Sequence, residues 1–121
     1  MIKEPLKAPF LLEIMRLIKI INAPSQTFSM VLNQKRCSFA FKYNETNDRW
    51  SFDLSIDDRP SLHGMRVTLD KDLLEHYQFG IGKLFAVDYS ELGNKPGREE
   101  LHDGTVRLFH VTEEEFNDAA L

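Results

Sequence analysis

The sequence has little cysteine and no long apolar run. Its one cysteine, Cys37, stands on the apolar face of a predicted strand, so an internal disulfide is excluded and we expect a buried, unreactive thiol. The apolar stretch from Leu11 to Ile21 is shorter than the roughly 20 residues that cross a bilayer, and it is broken by Glu13, Arg16 and Lys19. No small-residue cleavage site follows an apolar run, so we expect no secretory signal. These features suit a reducing interior or a particle assembled in the cytosol.

Residue combinations that carry catalysis or bind metal are also missing. The segment Gly80-Ile81-Gly82 lacks the third glycine of a phosphate-binding loop and follows a predicted helix, whereas such a loop precedes one. No serine lies in a nucleophile-elbow sequence. The histidines show no pair at metal-site spacing, and we expect each to be a surface or packing residue: His63, His76, His102 and His110. We therefore expect no catalytic residue, no cofactor and no metal, and hence no enzyme.

Cationic residues are scarce in the second half of the chain. Residues 1–60 carry nine Lys and Arg against seven Asp and Glu, whereas residues 61–121 carry six against twelve, within a net charge of −4. Binding to phosphates requires clustered cations, so we do not expect nucleic acid as the main ligand. An acidic surface that keeps the protein soluble is a sufficient explanation. The 42% apolar content, with nine phenylalanines, indicates an ordered globular fold.

Two alternating stretches, Arg36 to Tyr43 and Asp48 to Ile56, organise the predicted fold. Successive side chains of a strand point to opposite faces, so each stretch has one apolar and one largely polar face. The four residues between them are rich in Asn and Thr, which favour tight turns. The stretches therefore predict a β-hairpin with an aromatic inner face, formed by Cys37, Phe39, Phe41, Tyr43, Trp50, Phe52, Leu54 and Ile56.

Five further stretches are predicted strands, namely residues 16–22, 26–33, 62–69, 83–89 and 104–111. Strand 83–89 is apolar without alternation, which predicts cover on both faces. Gly64 marks a bulge or sharp bend in strand 62–69. Asp70 predicts the start of a short helix from Lys71 to Tyr77. The long polar segment from Ser90 to Asp103 is predicted to be a loop, and loops of this length are typically functional.

These elements predict an all-β fold. It comprises an antiparallel β-barrel or sandwich of six or seven strands, with one short helix and a helical turn that begins at the capping-box sequence Thr112 to Glu115. The barrel is favoured because an aromatic hairpin curls well and the chain has few strands for two full sheets. We expect a single domain over residues 15–121.

The first 14 residues have a composition of their own. Pro5 and Pro9 exclude a regular helix or a central strand through this segment. Two interpretations compete, an arm that lays its apolar residues on a partner subunit and a loosely docked tail. The arm is favoured, and the candidate partner-binding residues are its apolar ones: Phe10, Leu11, Leu12 and Ile14.

An ordered set of short motifs between Arg16 and Val111 carries a resemblance. It runs through Pro24-x-Gln26-x-Phe28, Phe39-x-Phe41-x-Tyr43-Asn44, Arg49-Trp50-x-Phe52-Asp53-Leu54, Gly82-x-Leu84-x-x-Val87-Asp88, Pro96-Gly97-Arg98 and Val106-Arg107-Leu108. In this set the chain resembles the small baseplate plug proteins of contractile-tailed bacteriophages, the family named for a cyanophage plug.

The resemblance implies a structural role. It implies an all-β protein of the virion, assembled in the host cytoplasm and placed in the baseplate hub near the tail tube and spike. Its implied partners are other tail and baseplate proteins, in a homo-oligomeric ring, with no membrane, nucleic acid, cofactor or activity. The alternative is a small ligand-binding β-barrel or an OB-like nucleic-acid-binding domain. The first would need polar groups converging in the barrel mouth and the second would need exposed aromatics on a basic face.

Overall fold

A computed structural model of the protein describes residues 16–90, 92–112 and 114. Its elements, in chain order, are seven strands and one helix: β1 Arg16–Ile18, β2 Ser25–Leu32, β3 Lys35–Asn44, β4 Arg49–Ile56, β5 Arg59–Arg66, β6 Lys83–Asp88, α1 Arg98–Asp103 and β7 Val106–Val111. The all-β fold class and the strand number agree with the sequence prediction.

The predicted hairpin is the centre of the larger sheet. Strands β2, β3, β4 and β5 pair antiparallel in sequence order, which is the meander that the alternation predicts. Cross-strand pairs such as Phe41 with Phe52 lie on the inner face, where the rings are 5.1 Å apart. Trp50, Phe39 and Phe41 are among the largest fully buried side chains, and Cys37 is buried as expected. Burial raises the pKa of the Cys37 thiol, which keeps it protonated and unreactive.

The smaller sheet has the order β1-β7-β6, again antiparallel. One apolar cluster contains residues of both sheets, including Ile18, Leu84 and Leu108 from the smaller and Phe39 and Phe52 from the larger. The strands therefore form two packed sheets, and the barrel favoured by the sequence is not closed. The sandwich alternative is the one that the structure supports.

The segment after β5 lies along the outer edge of β6. The segment after β5 bonds this edge, through Asp70 N to Ala86 O at 2.9 Å and Leu73 N to Leu84 O at 2.8 Å. Leu69 also forms an isolated parallel bridge with Ala86. The outer edge of β6 is therefore bonded by this segment, and β5 itself does not pair with β6.

The position of the predicted helix is wrong. Residues 73–76 form a turn, and Asp70 has a positive φ of 60°, which is unsuited to an N-cap. Asp72 is the anchoring residue, because its Oδ1 accepts hydrogen bonds from Leu74 N and Leu84 N, both at 3.0 Å. These bonds tie the segment to β6. The helix α1 lies instead within the segment predicted to be a loop, and it ends at Gly104 with φ 90°.

Two smaller predictions have different outcomes. The bulge at Gly64 is confirmed, because the register between β4 and β5 shifts there and Gly64 has φ 66°. Cover on both faces of β6 is only partial, since Leu84 and Ala86 are buried whereas Phe85 and Val87 are partly buried. The predicted C-terminal helical turn lies largely outside the described residues.

Candidate interaction surface

The residues predicted to bind a partner, Phe10, Leu11, Leu12 and Ile14, lie outside the described residues. No described helix is long and apolar enough to cross a membrane.

The histidines do not converge on one site. Nδ1 of the exposed His63 lies 3.0 Å from Oδ1 of Asp53. His110, by contrast, is fully buried, and its Nε2 contacts the carbonyl oxygen of Ile81. Within ranges 16–90 and 92–112 and at residue 114, no group of three or more His, Cys, Asp or Glu side chains could hold a metal ion.

The outer edge of β2 is paired with no other strand among the described residues. β2 is an edge strand of the larger sheet and pairs with β3 over eight consecutive residues without a register shift. Its sequence from Ser25 to Leu32 contains no charged residue and no proline. Such features leave an edge able to accept another strand. This open edge of β2 was missed at the sequence level, although the missing charges could have indicated it.

The turn between β2 and β3 determines which backbone groups face the open edge. Asn33 and Gln34 have φ 51° and 66°, as in a two-residue type I′ turn, whose flanking residues form a hydrogen-bonded pair. Such pairs alternate along an antiparallel ladder, and the bond from Tyr43 N to Pro24 O, at 2.8 Å, fits this phase at the far end. The odd-numbered residues of β2 therefore point their N–H and C=O groups away from β3: Ser25, Thr27, Ser29 and Val31.

The other sheet edges are protected in ways that β2 is not. β5 has two register shifts and carries Pro60 together with the charged Arg59 and Arg66. The edge of β6 is bonded by the segment at residues 69–73. β1 has only three residues. Bulges, prolines, charges and short length are the usual means of preventing edge-to-edge pairing. Among the described strands, β2 is thus the only long edge without such protection.

The inner face of β2 is also incompletely covered. Phe28 stacks on Phe39 and Phe41 with ring centroids 5.5 and 5.7 Å apart, yet it is only partly buried. Met30 is likewise partly buried, although its cross-strand neighbour Cys37 is fully buried. A strand added to the edge of β2 would bring side chains beside Phe28 and Met30 and remove their remaining apolar surface from water.

The segment predicted to be a functional loop is held against the hairpin by Asp48. Its Oδ1 accepts a hydrogen bond from the Tyr43 hydroxyl at 2.5 Å and from Arg98 N at 3.1 Å, and its Oδ2 lies 3.1 Å from Lys95 Nζ. These bonds lower the pKa of Asp48 to about 2, and the hydrogen bond from Tyr43 is the largest cause. The same bond is the main cause that raises the pKa of Tyr43 to about 12. Asp48 therefore stabilises the contact between the hairpin and residues 95–98, which is called the Asp48 junction below.

A buried hydrogen bond from the hairpin also holds residues 95–98 in place. Trp50 Nε1 donates a hydrogen bond to the carbonyl oxygen of Gly97 at 3.1 Å. Gly97 is itself buried, and a Cβ there would lie 2.7 Å from Glu100 Oε1 and 2.8 Å from Asp48 Oδ2. A side chain at this position would therefore have to displace the carboxylates of Glu100 and Asp48. Together these contacts make residues 95–98 a fixed part of the fold.

A second surface carries unpaired positive charge on the outer face of the larger sheet. Lys42 and Arg66 lie opposite Ser51 on its two neighbouring strands, and Arg49 lies two residues before Ser51 on the same face. Arg49 and Arg66 line an open cavity of about 220 Å³. None of these three cations forms an ion pair in the part of the chain that the structure describes. The outer-face residues of β2, β3 and β4 include no aromatic side chain.

Comparison with known proteins gives one family. The family model described as "Cyanophage baseplate Pam3 plug gp18" matches residues 15–114. The chain matches no curated protein sequence. The matched range contains all seven strands, the Asp48 junction and the open edge of β2, and it leaves the first 14 residues outside.

Proposed function

The chain belongs to the cyanophage baseplate plug family, and from this membership we propose that it is a structural subunit that binds a neighbouring baseplate subunit through the open edge of β2. Its location is the tail baseplate of a phage virion, as the family indicates. The role is one of protein–protein contact, without catalysis.

The observation that carries the proposal is the difference between β2 and the other edges. An edge strand of eight regular residues with four outward-pointing N–H and C=O pairs offers a ladder to an extended segment. Backbone hydrogen bonds would supply affinity, and the partly buried Phe28 and Met30 would supply an apolar contact. Protected edges elsewhere in the molecule would direct the incoming strand to β2 alone.

Finer features of the assembly belong to this proposal. The subunit lies in the baseplate hub near the tail tube and spike, within a symmetric ring of identical copies. Residues 15–121 form one domain, and residues 1–14 form an extension that lies on a partner. The aromatic core and the anchored segment at residues 95–98 support a rigid subunit that presents its edge in a fixed direction.

The alternative of a ligand-binding or OB-like nucleic-acid-binding domain has less support. Inward positions of the central hairpin are mostly buried apolar side chains. The two polar groups among them, the Tyr43 hydroxyl and the Trp50 Nε1–H, already bond Asp48 and Gly97, which leaves little to bind a small ligand. The cations around Ser51 could bind phosphates, but the outer faces of β2, β3 and β4 offer no aromatic ring on which a base would stack.

Substitution of Ser29 tests the proposal, because its N–H points to the open edge. Ser29→Pro removes that N–H and places a ring where an added strand would pair, while the ladder to β3 keeps its bonds. Ser29→Ala is the matched control, since both variants lose the bond between the hydroxyls of Ser29 and Ser38. We expect the Ala variant to enter baseplates normally and the Pro variant to be absent from purified tails, as measured by quantitative mass spectrometry. Normal incorporation of a folded Pro variant would refute the proposal.

A further inference from the structure

We infer that the open edge of β2 binds residues 10–14 of a second copy of this chain, so that copies associate head to tail. The inference rests on the proposed function, because it names the occupant of the same edge. It is carried by the sequence pattern of residues 10–14, by the partly covered inner face of β2 and by the short connection to β1.

The pattern of residues 10–14 fits the edge of β2. Alternate residues of a strand share one face, so an extended segment would present three large apolar side chains together: Phe10, Leu12 and Ile14. In a strand paired with β2 this face continues the inner face of the sheet. It would lie beside Phe28 and Met30, the inner-face side chains of β2 that the protein leaves partly exposed. The one charged residue of the segment, Glu13, would point to the opposite, solvent side.

Length and proline positions agree with this pairing. The five residues from Phe10 to Ile14 contain no proline and would extend over about 16 Å, within the roughly 26 Å of the eight-residue β2. Pro9 stands directly before them, and a proline is tolerated at the start of a strand because its missing N–H costs no ladder bond.

The connection to β1 favours a second copy over the same chain. Only Met15 separates Ile14 from Arg16, the first residue of β1, so the Cα atoms of these two residues are at most about 7 Å apart. β1 belongs to the smaller sheet and pairs with β7, whereas β2 lies in the larger one. Facing sheets pack about 10 Å apart. The same chain would have to leave β1 and enter the other sheet within one residue, whereas the β2 edge of another copy imposes no such limit.

A contact of this kind is heterologous, because one copy contributes its β2 edge and the other its residues 10–14. When copies repeat such a contact, they form a closed ring if the rotation between neighbours is a whole-number fraction of a full turn. With any other rotation they form an open filament. The inference therefore supplies a physical basis for the ring of identical copies.

Molar mass measured by light scattering during size exclusion, across a dilution series, tests the occupant. We expect the full chain to exceed the 14.1 kDa of one copy in a concentration-dependent way. Leu12→Asp, which puts a charge on the apolar face, and Ser29→Pro, which blocks the edge, should both remain at one-copy mass. Glu13→Lys, which changes the charge on the opposite face of the segment, and Ser29→Ala are the matched controls and should associate as the unaltered chain does.

Mixing the two defective variants gives the sharper result. The Leu12→Asp copy keeps an intact β2 edge and the Ser29→Pro copy keeps an intact segment, so a mixture can form one junction and no more. We expect pairs containing one copy of each variant, at twice the one-copy mass. Failure of the mixture to pair would overturn the inference, as would an unaltered chain that stays at one-copy mass at every concentration.

The outcomes also separate this inference from the proposed function. If the unaltered chain never self-associates but Ser29→Pro is still excluded from baseplates, the edge binds another baseplate protein and only the second-copy inference fails. If Ser29→Pro changes neither self-association nor incorporation, both fail. Equal loss of association in the Glu13→Lys and Leu12→Asp variants would refute the alternation on which the pairing depends.

Discussion

Replacement of Trp50 is the most demanding test of how the hairpin supports the rest of the fold. Trp50 is fully buried, lies 5.5 Å from the ring of Tyr43 and 6.4 Å from that of Phe41, and donates its indole N–H to Gly97 O. Trp50→Ala should cost about 3–5 kcal/mol for the lost contacts and the cavity. The carbonyl oxygen of Gly97 would also lose one of its two donors and keep the other, Leu101 N at 3.2 Å, which adds about 0.5–1.5 kcal/mol.

This loss is large relative to the total stability of a small domain, which is about 5–15 kcal/mol. Trp50→Phe separates the two contributions, because it keeps most of the apolar burial and removes only the N–H donor along with some volume. We expect it to cost about 1–3 kcal/mol. Ser51→Ala, one residue along on the opposite face, should change stability by less than about 0.5 kcal/mol.

Denaturant unfolding followed by far-ultraviolet circular dichroism measures these differences, because the backbone signal remains when the indole is removed. The expected order of unfolding free energy is the unaltered chain and Ser51→Ala together, then Trp50→Phe, then Trp50→Ala. Equal midpoints for Trp50→Ala and Ser51→Ala would refute the assignment of the two positions to opposite faces of β4.

Two further predictions concern the loop junction and a crowded glycine. Folding lowers the pKa of Asp48 from its ordinary 3.8 to about 2, so its contribution to stability is present above pH 3.8 and is lost as the pH falls toward about 2. Asp48→Asn should therefore be less stable than the unaltered chain at neutral pH. In thermal melts at decreasing pH, the difference in stability between the two proteins should shrink between pH 3.8 and about 2. Gly82 has φ 104° and a Cβ there would lie 2.4 Å from the Val111 carbonyl oxygen, so Gly82→Ala should cost about 2–4 kcal/mol. Gly93→Ala, with a positive φ but no atom within 4 Å, should cost only about 1–2 kcal/mol, and equal thermal shifts for the two would contradict the close approach.

The parts of the fold that were predictable from the sequence are local in the chain. Period-two alternation in residues 36–56 is enough to assign the hairpin, and Gly64 marked the bulge that the register shift confirms. Closure of a barrel depends on pairing between distant strands, which alternation does not encode. In this protein the outer edge of β6 is bonded by Asp70 and Leu73, and β5 does not pair with it. The helix α1 was missed because Leu101 is its only buried residue, so it has no apolar periodicity.

The candidate surface was only partly predictable for the same reason. A long polar segment indicated function, but its fixed position depends on Asp48, which bonds Arg98 from 50 residues away, and on Trp50, which bonds Gly97 from 47 residues away. The missing charge in β2 is visible in the sequence, yet its importance appears only when β2 is known to be an edge. The prediction that Phe10, Leu11, Leu12 and Ile14 bind a partner stays a prediction.

Residue-resolved amide hydrogen exchange along β2, compared between dilute isolated protein and assembled baseplates, tests the central claim most directly. The account predicts that the N–H groups of Thr27, Ser29 and Val31 exchange rapidly in the isolated protein and become protected in the baseplate, because a strand then pairs with them. The N–H groups of Phe28 and Met30, which bond β3, should be protected in both states and serve as internal controls. Rapid exchange at Thr27, Ser29 and Val31 in the assembled baseplate would contradict strand addition at this edge.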